Sequence, residues 1–488
     1  MNESLTTKQL LALRRVTRTA SEVISAQVRD HLQTLSFLVR PRALLGDYVA
    51  SPSKEPARNA DAAFAEFKTL YEAILPNRPF GFRKEIVTPM VNLSHVPEIT
   101  PWEYTHLAQS DRGEKSIAIT SPLKWVLHFA PYPPRRVMEL VANREDMAHE
   151  LLTREMDIPY YRERSANLSR VKVPLLSTAN WGGQGLHLRG NMEGYIGAAS
   201  EQKWLEVHGG SHWAPFYTDY GVNMQRKFFD HFLKGEDNGW DREPKVRLQV
   251  RHPGEKFVER HENEWPLART RWTDFHLHPD TMGLSTQPYQ GKPQVLTYDA
   301  MGDGLTFMSA PMTEPTEITG PSALKIHLSS ATTDADVFAV LRVFDPQGTE
   351  VVFQGALDPH NPISLGWLRA SHRKLDAKKS LPYRPFHSHD EKQLLTPGQV
   401  VELDVEIWPT CIVVPVGYRV GLSIRGRDYE WTGPAATLSN MKNPMKGCGP
   451  FVHDDEQDRP PEIFGGRVSL HFGPGHVQRL LLPIIPKK

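Results

Sequence analysis

Cysteine is almost absent from this chain of 488 residues, which contains only Cys411 and Cys448. Two cysteines are too few for a disulfide framework, and since neither has metal-ligand spacing, both are predicted to be reduced, buried thiols. No apolar run approaches the roughly 18 residues of a membrane span, and the amino-terminal residues lack the apolar centre of a signal peptide. The sequence therefore favours a soluble, cytoplasmic protein that does not contact a membrane.

The chain also lacks an excess of charge of either sign. Lysine plus arginine and aspartate plus glutamate both number 57, so the sequence offers no electrostatic case for binding nucleic acid or an anionic membrane. A chain this long exceeds a single hydrophobic core, so two or three domains are expected. The 40 prolines and 34 glycines indicate dense turns, which is typical of a protein built mostly from β-strands.

Residues 1–143 are predicted to form a mainly helical segment of unknown role. From Leu10 to Leu35 the apolar residues keep close to a helical period, and residues 61–75 predict a second helix that ends at Pro76. No chemical motif occurs in this segment. It is interpreted as a helical scaffold or an interaction module.

Residues 144–240 have the pattern of an α/β unit. Short apolar runs at Val173–Leu176 and Trp204–Val207 predict buried strands, and a glycine-rich loop lies between them. A helix is predicted from Tyr220 to Leu233, ending at Gly235. In open α/β sheets the loops at the carboxyl ends of the strands carry the chemistry, so the candidate site lies in these loops.

Residues 241–488 change to short strands separated by tight turns. Because no helical pattern intervenes, an all-β sandwich is predicted, with a jelly roll as its expected topology. Seven strands are predicted, at residues 246–250, 323–329, 337–344, 400–408, 418–424, 467–472 and 478–482.

Several long blocks between residues 150 and 488 resemble the CocE/NonD hydrolases, a family of cocaine-esterase-like and X-Pro dipeptidyl-peptidase-like serine hydrolases. The blocks include NWGGQGLHLRG, EQKWLEVHGGSHW, FFDHFLKGEDNGW and TDADVFAVLRVFDPQG, in the family's order. The resemblance implies an α/β-hydrolase sheet followed by a carboxyl-terminal jelly roll. Only the end of that hydrolase sheet is present here, and residues 1–143 show no similarity to the family.

The resemblance also implies a serine nucleophile, a histidine base and an aspartate that orients it. The motif Gly-x-Ser-x-Gly, which would carry the nucleophile, does not occur in the sequence. His212 matches the family's histidine. Where the aspartate is expected the chain reads Asn180-Trp181-Gly182-Gly183, so a glycine replaces it.

The remaining candidates are weaker. Asp219 is a candidate acid, although it is interpreted first as the amino-terminal cap of the following helix. Trp181 and Trp213 are candidate pocket walls, while His187 and His208 are interpreted as structural. The His-x-His sequence at residues 387–389 is assigned to a surface loop, and the acidic runs at residues 329–336 and 454–458 are assigned to solvated loop faces.

Two functions from different classes remain open. The first is hydrolysis of a small ester or of an X-Pro-type peptide, without a cofactor or metal. The second is a catalytically incomplete fusion or remnant that acts as a binding or structural module. Because the end of a parallel sheet would leave an apolar edge, the amino-terminal segment or a second chain is expected to cover it, and a homo-oligomer is a candidate assembly.

Overall fold

The computed structural model describes residues 86–87, 151–212, 214–356, 358–433, 445–448 and 451–487. The helices predicted between residues 10 and 75 lie outside these ranges, as does the predicted cover of the sheet edge. From Leu151 onward the described residues belong to one compact unit. Within these ranges, no helix combines the length and the apolar character that crossing a lipid bilayer requires.

The α-helices within these described ranges are between four and 16 residues long. They are α1 (Pro159–Arg164), α2 (Leu188–Gly197), α3 (Ala214–Tyr217), α4 (Asp219–Lys234) and α5 (Pro461–Phe464). The strands are β1 (Ile86–Val87), β2 (Leu175–Asn180), β3 (Lys203–His208), β4 (Val246–His252), β5 (Lys256–Glu262), β6 (Arg271–His278), β7 (Gly283–Ser285), β8 (Gln294–Asp299), β9 (Leu305–Ser309), β10 (Thr316–Ser330), β11 (Asp336–Phe344), β12 (Ser364–Arg369), β13 (Val401–Val414), β14 (Arg419–Arg425), β15 (Phe451–Val452), β16 (Arg467–Phe472) and β17 (Arg479–Ile485).

Strands β2, β3 and β4 form the α/β part of the molecule. They pair in parallel, with α2 between β2 and β3 and α4 between β3 and β4 in the chain. In β3, Trp204 packs on Phe228 of α4, whereas Leu205 belongs to a separate core with α2. Burial of both faces explains why this strand reads as a continuous apolar run.

Helix α4 has clear signals at both ends. The hydroxyl of Thr218 accepts a hydrogen bond from the amide of Gly221, so Thr218 is the amino-terminal cap. The assignment of the cap to Asp219 is therefore wrong by one residue, and Asp219 is the first residue of the helix. At the other end Gly235 adopts φ 72°, the left-handed conformation that terminates many helices.

The rest of the described sheet is mainly antiparallel. Neighbouring strands follow the order β12-β11-β14-β9-β7-β6-β17-β10-β13-β4-β3-β2, and β5, β8 and β16 pair beside this path. All seven strands predicted beyond residue 241 are present, whereas β5 to β9, β12 and β15 were missed. Among the described strands β2 pairs only with β3, so the predicted sheet edge is present.

The α/β part and the antiparallel part share one continuous sheet. Strand β4 pairs with β13 at a single position, Arg251 opposite Ile412. The Arg251 side chain is fully buried and donates to the carbonyl oxygens of Cys411 and Ile363, at 3.0 and 2.9 Å. Burial lowers the pKa of this guanidinium to about 10. Arg251 therefore ties the two parts together through backbone acceptors.

Several carboxylates of the acidic runs assigned to solvent are instead buried, although Asp454 and Glu456 are exposed. Asp336 and Asp458 are both less than 9 % exposed and bind the guanidinium of Arg369 at 2.9 and 3.2 Å. Arg459 also binds Asp336, at 2.9 Å. Buried charges are tolerated when they are paired, and this network supplies the partners. The sequence assignment was wrong because the partner arginines lie far along the chain.

The thiol of Cys411 is buried, as predicted, and lies 3.1 Å from the hydroxyl of Thr319. Burial raises its pKa to about 11, so the thiol is protonated at neutral pH and unreactive. Cys448 is half-buried, which differs from the prediction.

Asp334 provides a test of the buried acidic network. Burial, and then repulsion by Asp336, raise its pKa from 3.8 to about 6. A raised folded-state pKa contributes stability below about pH 4 that is lost as the pH rises through about 6, amounting to about 3 kcal/mol. The variant Asp334→Asn mimics the protonated acid. We therefore expect it to remove this decrease in the free energy of unfolding between pH 4 and 7, as measured by urea unfolding.

The exposed Asp280→Asn is the matched control for that measurement. It should keep the pH dependence of the unmutated protein. An Asp334→Asn variant whose unfolding free energy falls with pH as steeply as that of the control would contradict the assignment.

Candidate functional site

The candidate site lies where β2 and β3 end. Because the two strands are parallel, the loop after Asn180 and the loop after His208 leave the same edge of the sheet. The amide of Trp181 donates to the carbonyl of His208 at 2.8 Å, which extends the pairing one residue past β2. The sequence predicted this juxtaposition correctly.

The loop that carries His212 is held by three different elements. Gln249 of β4 accepts a hydrogen bond from the amide of Gly209 at 3.0 Å. The side-chain amide of Asn180 donates to the carbonyl of Gly210 at 2.8 Å. The amide of His212 itself donates to the carbonyl of Ala356 at 3.3 Å. The half-buried His212 therefore stands on a loop that is fixed at nearly every residue.

A second histidine lies beside it. The ring of His187, the residue before α2, has its centre 4.9 Å from that of His212, with 33° between the planes. His187 was interpreted as structural from the sequence, and its proximity to His212 could not be foreseen because 24 positions separate them. The contact places two imidazole rings side by side at the candidate site.

The position of the expected aspartate is closed by the antiparallel part of the molecule. A Cβ atom added to Gly182 would lie 2.1 Å from the Cα of Gly355, and one added to Gly183 would lie 3.1 Å from the carbonyl oxygen of Asn180. The first distance is far below any van der Waals contact and involves backbone. A side chain at position 182 would therefore require the 355 backbone to move.

The other predicted site residues are placed as follows. Asp219 is exposed at the start of α4. Trp181 is fully buried, and its indole N–H donates to the carbonyl of Gln249 at 2.9 Å. Trp213 lies outside the described residues. The roles of Asp219 as acid and of the two tryptophans as pocket walls stay predictions.

The sequence reasoning missed a buried carboxylate–imidazole pair on β3. Glu206 Oε2 lies 2.9 Å from His208 Nδ1, and Tyr220 donates to Glu206 Oε1 at 3.3 Å. Burial, and then the Glu206 charge, raise the pKa of Tyr220 above its usual range. When Nδ1–H faces the carboxylate, Nε2 is left as an acceptor, which is the arrangement of an oriented general base. The sequence signal for this pair was the two-residue spacing of Trp204, Glu206 and His208, which places their side chains on the same face of β3.

The histidines assigned to a surface loop are buried. His387 and His389 are 4 % and 2 % exposed, and His389 Nδ1 lies 2.8 Å from His372 Nδ1. Burial lowers the pKa of His387 to about 4, so this ring is neutral at neutral pH. Across the described part of the chain, no three histidine, cysteine, aspartate or glutamate side chains meet in a metal-binding arrangement.

Comparison with known proteins identifies related sequences. Residues 238–456 match the family described as the X-Pro dipeptidyl-peptidase C-terminal non-catalytic domain. A proposed serine esterase of Mycobacterium bovis is 26 % identical over 303 residues, covering 53 % of this chain and 40 % of that protein. A cocaine esterase of Rhodococcus sp. is 22 % identical over 312 residues, covering 56 % and 47 %. The chain thus spans less than half the length of these relatives.

A solved structure also relates this chain to the same group of hydrolases. The crystal structure of a CocE/NonD family hydrolase from Staphylococcus aureus superposes with a TM-score of 0.66 at 25 % identity, over 82 % of this chain and 65 % of that one. The resemblance stated from the sequence motifs is thereby confirmed. Residues 238–456 are thus similar to the X-Pro dipeptidyl-peptidase C-terminal non-catalytic domain, and the chain is related in sequence and fold to the CocE/NonD hydrolases.

Proposed function

We propose that this chain is an acyl hydrolase of the CocE/NonD type, acting on a small-molecule ester or an X-Pro-type peptide. The observation that carries the proposal is His212, which matches the family's histidine and lies at the carboxyl edge of β3 on a firmly held loop. The names of the relatives as esterases support the same class. No cofactor, nucleic acid or membrane is part of the proposed reaction.

In this reaction the His212 imidazole takes the proton of a serine hydroxyl as the oxygen attacks the substrate carbonyl. It then returns that proton to the leaving group, and water releases the acyl group by the same route. The serine is not assigned. Asp219 and the tryptophans Trp181 and Trp213 keep their proposed roles as acid and pocket walls.

The second candidate function is a binding or structural module that has lost its catalytic partners. The observation in its favour is the Gly182–Gly355 contact, because no carboxylate can stand at position 182 beside an unmoved 355 backbone. The missing Gly-x-Ser-x-Gly motif points the same way.

A covalent probe separates the two candidates. We expect a fluorophosphonate to label one serine of the full chain, and p-nitrophenyl acetate to be hydrolysed. In His212→Ala both the labelling rate and kcat/KM should fall by about 10²- to 10⁴-fold, the usual contribution of a general base. The measurements are the labelled fraction by mass spectrometry and the rate of nitrophenolate release.

His231→Ala is the control, since His231 lies in the last turn of α4, where its Nδ1 is 3.0 Å from the carbonyl oxygen of Glu236. It should label and turn over like the unmutated chain. Complete absence of serine labelling in the unmutated protein would reject the hydrolase and leave the binding module.

We further propose three segments: a helical segment at residues 1–143, the end of an α/β-hydrolase sheet at 144–240, and a jelly roll at 241–488. The start of the family match at residue 238 supports the last boundary. A homo-oligomer in the cell cytoplasm is proposed as the working assembly.

Limited proteolysis tests this boundary. Lys234 is exposed at the end of α4 and is followed by the exposed turn at residues 235–237. We expect trypsin to cut after Lys234, and the two fragments to elute together from a sizing column because β3 and β4 remain paired. Fragments that separate without denaturant would contradict the continuous sheet.

A further inference from the structure

We infer that the loop formed by residues 353–356 and 358–361 positions the histidine loop of the candidate site. This inference rests on the proposed function, because it assigns the loop a role toward His212. The loop belongs to the stretch that matches the non-catalytic domain. The domain described by that name therefore takes part in building the site.

The first contact joins this loop to the end of β2. The carbonyl oxygen of Gly182 accepts two hydrogen bonds, from the amide of Ala356 at 3.0 Å and from the side-chain amide of Asn361 at 2.9 Å. Asn361 is 4 % exposed, so its bond is shielded from water. Both acceptor positions of one buried carbonyl are thus used by the same loop.

The second contact joins the loop to His212. The carbonyl of Ala356 accepts the hydrogen bond from the amide of His212 at 3.3 Å, while its own amide donates to Gly182. The backbone amide and the backbone carbonyl of Ala356 therefore together link the loop after β2 to the loop after β3. Displacement of Ala356 would release the backbone of His212 and leave Gly209 and Gly210 held by Gln249 and Asn180.

The loop is held in place by hydrogen bonds within it and by a contact with Arg251. Phe353 and Asn361 exchange backbone hydrogen bonds of 2.9 Å, and the amide of Gly355 donates to the carbonyl of Asp358 at 2.6 Å. The guanidinium of Arg251 lies 4.7 Å from the centre of the Phe353 ring. These contacts are independent of the candidate site. The positioning residues are accordingly Asn361 and Gly355, neither of which is assigned contact with substrate.

Two substitutions weaken the hydrogen bond from Asn361 to the carbonyl of Gly182 in different ways. Asn361→Ala removes the donor to Gly182, and Gly355→Ala introduces a Cβ only 2.0 Å from the Asn361 side-chain nitrogen, which must then leave Gly182. We expect amide hydrogen exchange at His212 to become roughly tenfold faster in both, the effect of losing one buried hydrogen bond, while exchange of the Gly209 amide, which Gln249 holds, stays unchanged. The imidazole NMR signals of His212, assigned through His212→Ala, should shift in both.

The matched control is Asn238→Ala, which removes a side-chain amide donor to the carbonyl of Lys227 at 2.8 Å, beyond the far end of α4. It should leave both readouts unchanged even where thermal stability falls. Unchanged exchange and unchanged His212 signals in Asn361→Ala and Gly355→Ala would overturn the inference.

Hydrogen exchange and the His212 NMR signals can both be measured without catalytic turnover. Failure of the hydrolase proposal would therefore be distinguishable from failure of this inference. Where p-nitrophenyl acetate is hydrolysed, both variants should lower kcat while KM changes less than twofold. An equal decrease of kcat in Asn238→Ala, or a change confined to KM in the two variants, would count against a positioning role.

Discussion

The site depends on the close approach of two backbones, at Gly182 and Gly355. With no Cβ on either residue, the loop after β2 and the loop from the antiparallel part come into direct contact, and the second loop donates two hydrogen bonds to the carbonyl of Gly182. A side chain on either would collide with backbone or with Asn361. The same contact that organises the histidine loop therefore also removes the space for the carboxylate that the family resemblance led us to expect.

Much of this arrangement follows from the parallel pairing of β2, β3 and β4. Parallel strands send their following loops to one edge, and burial on both faces makes such strands recognisable as apolar runs. For that reason Trp204–Val207 and α4 were predicted nearly to the residue. His212 was placed from motif similarity, and its position at the sheet edge agrees with that placement.

The features that could not be predicted are those made by residues distant in sequence. Asp336 and Asp458 look like solvated loop residues until Arg369 is known to lie between them. His187 meets His212 only because two loops converge, and no local pattern encodes that contact. Strands β5 to β9 were missed because half-buried strands with many polar residues carry little periodic signal.

The buried Arg251 restricts how the two halves of the sheet can move relative to each other. Its guanidinium is bonded to carbonyls of residues 411 and 363, so a hinge motion that swung β2, β3 and β4 away from β13 would strand a desolvated cation. Such a swing is costly compared with local rearrangement. The bonds of Arg251 therefore favour movement of the two halves of the sheet as one rigid body, with any change beside His212 confined to the loops.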